Sequence, residues 1–155
     1  MKKMIFCGLI AGLLMTGATA QTAGDPLAAN AAFTGAKAEK KKYHAIYQLD
    51  NSDPKVIEKA IRNINNALAD PRLVGKLTVE LVTFSGGTEA CLKGNKFEED
   101  LKSLVEKGVV IAQCANSLRE RKIERSQLYD FIAVIPSGNG ELILRQQQGW
   151  AIVKP

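Results

Sequence analysis

A single α/β domain of three layers, with helices on both faces of an open, mostly parallel five-stranded sheet, is the fold predicted by three features. Strand-like and helix-like segments alternate five times between Tyr43 and Pro155, as successive strand–helix–strand units do. The run Gly108-Val-Val-Ile-Ala is apolar and β-branched, which suits a buried strand. The whole chain has 155 residues, enough for one proper core and too few for two comfortable ones.

The first strand is expected at Tyr43 to Leu49, on its aromatic and β-branched content. Asp53 or Ser52 then caps a helix with Pro54 in its first position. Ile57, Ala60, Ile61, Ile64 and Leu68 recur at helical spacing, predicting an amphipathic helix over 54–69. Asp70-Pro71 ends it, because the residue before proline is pushed out of helical geometry. Lys76 to Phe84 alternates apolar and polar as a second strand does. The permissive turn Ser85-Gly86-Gly87-Thr88 leads to a short helix containing Cys91, and a further helix spans 97–107 with Leu101, Leu104 and Val105 inward.

The third strand runs from Val109 to Gln113 and delivers Cys114 where the apolar run gives out. A short basic helical turn follows over 117–122. Phe131 to Ile135 is the fourth strand, and Pro136 to Gly140 is a loop of backbone-permissive residues. A helix over 141–148 is stopped by Gly149, and Trp150 to Val153 is a brief fifth strand. In such sheets ligands gather beyond the carboxyl ends of the strands. Four loops lie there: 50–53, 84–88, 114–117 and 136–140.

Composition and charge narrow the function. The chain is 46% hydrophobic and 24% charged, with a formal charge of +5. Lys2 and Lys3 sit in a leader, so the remainder carries about +3, with no interleaved aromatic and basic residues to suggest a nucleic-acid surface. Residues 1–20 read as a secretory signal peptide: Lys2-Lys3, an apolar stretch from Met4 to Met15, and Ala18-Thr19-Ala20 before the cleavage point. The apolar run is too short for a membrane span. Periplasmic export is the expectation. Residues 21–42, rich in Ala, Gly, Thr and Lys, read as a flexible linker or a partly ordered arm ahead of the domain at 43–155.

Cys7 falls in the leader, which leaves Cys91 and Cys114, 23 positions apart. That spacing is neither a C-x-x-C redox pair nor a zinc pattern, and His44 alone cannot complete a metal site. Oxidising compartments favour disulfides, so filler, resolving thiol and disulfide partner all stay open for Cys91. Position alone leaves Cys114 open between buried filler and reactive thiol. Amides opening the turn after it would stabilise a thiolate, as would Arg119, Arg121 or Lys122 folding back. No phosphate-loop signature accompanies the glycines. Ser117 and Ser137 lack a nucleophile-elbow setting, and His44 starts a strand far from Cys114, which argues against a Cys–His pair.

Cys114-Ala-Asn-Ser-Leu118 and the tail from Pro136-Ser-Gly to Gly149-Trp150 and Pro155 resemble the DsrE-like sulfur-relay family, in order and spacing, over Tyr43 to Pro155. The resemblance implies a three-layer domain assembling as a homotrimer or homohexamer. It also implies a cysteine here that accepts sulfane sulfur as a persulfide and passes it on. Only Cys114 matches that role; Asn116 and Ser117 match the motif with no chemical task attached. The expected activity is that of a periplasmic sulfur carrier more than a turnover enzyme. It needs no cofactor and has protein or small-thiol donors and acceptors as partners. The alternative is an oligomeric binding or scaffold module with an inert, buried Cys114, with the helix from Glu141 and Trp150 making subunit contacts. A Cys91–Cys114 thiol–disulfide switch is a third reading.

Overall fold

The computed structural model describes residues 25–155; the leader expected at 1–20 lies outside them. Two units separate at Ala36. In the first, Asp25 caps the six-residue helix α1 (Pro26–Ala31) by accepting a hydrogen bond from the Leu27 amide at 3.0 Å. Helix α1 buries no residue.

The second unit holds the sheet: β1 (Tyr43–Leu49), β2 (Leu77–Thr83), β3 (Val110–Cys114), β4 (Ala133–Ile135) and β5 (Ala151–Val153). Its order is β4-β3-β2-β1-β5, and every neighbouring pair is parallel. The helices are α2 (Pro54–Ala69), α3 (Glu98–Glu106), α4 (Ala115–Arg121) and α5 (Gly138–Gln147), with 3-10 segments at Ser85–Cys91 and Arg125–Gln127.

Strand alternation divides the core. Ala45, Tyr47, Leu49, Val79, Leu81 and Ile111 face one side, where Ile57, Ala60, Ile61 and Ile64 of α2 and Leu101 and Leu104 of α3 close over them. Ile46 and Val82 face the other side and meet Leu142 of α5, with Phe84, Ile135 and Trp150 around them. This second layer is thin. Ile143 and Leu144 of α5 remain 63% and 58% exposed. Glu80, buried among apolar neighbours on this face, is held by Arg145 of α5 (Nε to Oε2, 2.7 Å), whose guanidinium also lies 4.3 Å over the Trp150 ring.

Several boundaries differ from the sequence reading, each for a local reason. Asp53, not Ser52, caps α2, accepting from the Lys55 amide at 2.9 Å. Helix α5 starts at Gly138, three residues early, because the Ser137 hydroxyl accepts from the Gly140 amide at 3.1 Å and turns most of the expected loop into a capped first turn. Cys114 is itself the N-cap of α4, so no turn separates strand from helix. Strand β4 is shorter than expected: Phe131 stacks on Tyr129, centroids 5.4 Å apart, in the segment before it. Within 21–42, residues 26–31 are helical.

Candidate functional site

Cys114 ends β3 in extended geometry (φ −70°, ψ 120°) and the chain enters α4 at the next residue. The side chain points to the thin face, since Ile135 is its register partner and packs with the α5 layer. The first turn of α5 lies there, at the same end of the sheet. Two helix starts therefore converge on one sulfur.

The thiol is 5% exposed, and burial by itself raises a thiol's pKa. At Cys114 that cost is outweighed. The Gly138 amide, the Ser117 amide and hydroxyl, and the Asn116 amide all favour the thiolate and hold it below the ordinary thiol range. The Ser117 hydroxyl oxygen also accepts from the Ser85 amide at 2.8 Å. Its own proton is then free to point at sulfur.

Close packing builds this cradle. Ser85 is a non-glycine residue at positive φ (50°). The next two residues, Gly86 and Gly87, press against the 49–52 backbone: a Cβ on Gly87 would lie 2.0 Å from the Leu49 carbonyl oxygen. Gly138 is also constrained, though against a side chain, because a Cβ there would meet Phe84 Cδ1 at 2.7 Å. Glycine lets the α5 amide come within reach of the thiol.

A cavity of about 320 Å³ opens onto Cys114, lined by Phe84, Ser85, Asn116, Ser117, Glu120, Ser137 and Asn139. Of the residues singled out in the sequence, Cys114, Asn116 and Ser117 meet here. The loops at 84–88 and 136–140, placed by topology alone, supply Ser85, Ser137, Gly138 and Asn139. The role of the Gly138 amide was not read from the sequence; the Pro-Ser-Gly cap signal was its one trace. Glu120 had no signal beyond its place in a basic helix.

Cys91 does not join them. It sits on the opposite face, 0% exposed, 3.4 Å from the Thr83 hydroxyl. Thr83 in turn donates to Gln113 Oε1 at 2.6 Å. Gln113 and Cys114 are successive strand residues and point to opposite sides of the sheet. Burial pushes the Cys91 thiol up to about 11, against a smaller opposing effect from Thr83. Both cysteines are free.

Neither Arg119 nor Arg121 folds onto the sulfur. Arg119 is bound to Asn116 Oδ1 at 2.8 Å, and Arg121 to Glu89 and the Ser85 carbonyl. The thiolate is stabilised by amides and one hydroxyl. His44 lies at the start of β1, its ring 5.0 Å from Trp150. Among the described residues no group of three or more His, Cys, Asp or Glu could hold a metal ion, and no helix is long and apolar enough to cross a membrane.

A family model for the DsrE/DsrF-like family matches residues 43–155. The chain belongs to the DsrE/DsrF-like family. Among solved structures it is similar to a protein of unknown function from Methanobacterium thermoautotrophicum, 27% identical, with TM-score 0.70 over 74% of this chain and 100% of that one. The ychN protein from E. coli (18% identity, TM-score 0.55, 75% and 100% covered) shares the fold. So does a conserved protein of unknown function from Bacteroides thetaiotaomicron (10%, TM-score 0.59, 78% and 100%). No curated protein matches the chain.

Proposed function

We propose that this DsrE/DsrF-like protein carries sulfane sulfur on Cys114 as a persulfide in the periplasm, taking it from a donor and yielding it to an acceptor thiol. The observation that carries the reading is the cradle at the strand end: a cavity leads to a thiol whose ionised form is held by the amides of Gly138, Ser117 and Asn116. A thiolate is the nucleophile in sulfur exchange, and the same donors suit the terminal sulfur anion of a persulfide. The family's relay role at this position supports the same assignment. Export rests on the leader, residues 1–20, and assembly as a trimer or hexamer on the family together with exposed Ile143 and Leu144.

The test is mass spectrometry of the full chain after exposure to a sulfane-sulfur donor. The expected result is one added sulfur on Cys114, removed by a thiol acceptor. Protein that stays unmodified, while Cys114 remains reduced, refutes the reading. The low exposure of Cys114 favours one competing reading, an oligomeric scaffold with an inert thiol. Slow alkylation of native protein, with full function in Cys114→Ser, would establish that alternative.

A further inference from the structure

Resting on the persulfide reading of Cys114, we infer that its sulfur donor or acceptor is a zwitterionic, amino-acid-type persulfide or thiol, whose body occupies a second cavity and whose ammonium group pairs with Glu120. That cavity measures about 670 Å³ and lies beside the thiol chamber; Ser85 and Glu120 line both. The thiol chamber, about half as large, takes the reacting sulfur atoms, and the larger cavity takes what they are attached to.

The walls select the chemistry of that attached group. Pro54, Ile57 and Phe97 give the larger cavity an apolar surface suited to methylene groups. Lys96 and Arg121 line it as cations, each paired with one protein carboxylate, Glu58 and Glu89 respectively. Their remaining N–H donors can take a ligand carboxylate. Glu120 is different. It stands where the cavities meet and has no ion-pair partner among the described residues. Arg119, the other nearby cation, is held against Asn116 and lines neither cavity. An ammonium close to the sulfur and a carboxylate farther away match this arrangement. A small dianion such as thiosulfate does not, because it meets Glu120 at the junction.

The transfer itself balances without an oxidant or reductant. The Cys114 thiolate attacks the terminal sulfur of R–S–SH, and the bond from Sγ to that sulfur forms. The bond between the two donor sulfurs breaks, and its electron pair leaves on R–S⁻. The hydrogen stays on the transferred sulfur, and one negative charge is present before and after.

The experiment compares the full chain with Glu120→Gln, an exposed position, by the rate at which Cys114 gains sulfur from cysteine persulfide, from the persulfide of uncharged 2-mercaptoethanol, and from thiosulfate. The expected result is a saturable reaction with cysteine persulfide in the wild type. Glu120→Gln should then slow that reaction about fivefold relative to the mercaptoethanol persulfide at low donor concentration, the ratio cancelling any general change in the thiolate's reactivity. S-methylcysteine should protect Cys114 from iodoacetamide in the wild type and lose that protection in Glu120→Gln. Equal, unsaturable rates with all donors and no effect of Glu120→Gln would overturn the inference while leaving Cys114 a sulfur carrier. No sulfur on Cys114 from any donor would overturn both.

Discussion

Removing the Ser117 hydroxyl tests the cradle most directly. Ser117 is buried, its oxygen accepts from the Ser85 amide at 2.8 Å, and its hydroxyl favours the Cys114 thiolate. Ser117→Ala deletes one hydrogen bond to an ionised group, a kind of bond worth about 1.5–3 kcal/mol. At about 1.4 kcal/mol per pKa unit, the thiol should titrate about one unit higher, the lower end applying because the three amides remain. The assay is the pH–rate profile of iodoacetamide alkylation at Cys114. Cys91 contributes nothing to it, being buried on the other face with its own pKa raised to about 11. Ser117→Thr, which keeps the hydroxyl, should restore the wild-type midpoint. A Ser117→Ala profile superimposed on wild type, with the fold intact by circular dichroism, would refute the reasoning.

Three further outcomes follow from the same geometry. Gly87→Ala drives a Cβ into the Leu49 backbone and should destabilise the domain by about 3 kcal/mol or more in urea melts, since backbone cannot rotate away. Arg145→Met strands the Glu80 carboxylate under α5. A loss of about 3 kcal/mol at neutral pH is expected, shrinking as pH falls and Glu80 takes up a proton, measured by melts across pH. The lowered Cys114 pKa also has a stability signature. Between the folded pKa and the unfolded value near 9, the unfolded chain binds more protons, so stability should rise with pH, level off above that value and vanish as pH falls through the folded pKa. Cys114→Ser should flatten that rise in melts between pH 6 and about 10.

Much of this was legible because it is local. The helical spacing of Ile57, Ala60, Ile61 and Ile64 and the Asp53-Pro54 start placed α2 to the residue. The apolar run ending at Cys114 placed β3 within one residue. The short elements were less legible. Ser137 carries a cap signal that competes with the glycines beside it, and the hydroxyl bond to Gly140 decided for helix.

The sequence by itself determined the α/β alternation, the strand-end position of Cys114 and the family motif around it, all written in residues near one another in the chain. Only the tertiary structure decided what that cysteine meets. Strand parity, set by pairing with β4, sends Cys114 toward α5 and leaves Cys91 behind the sheet. The amide of Gly138, 24 residues downstream, reaches the sulfur because α5 packs across this face. Ser85 reaches Ser117 from β2's end. A thiolate is stabilised by dipoles within a few ångströms, and distance along the chain does not predict distance in space.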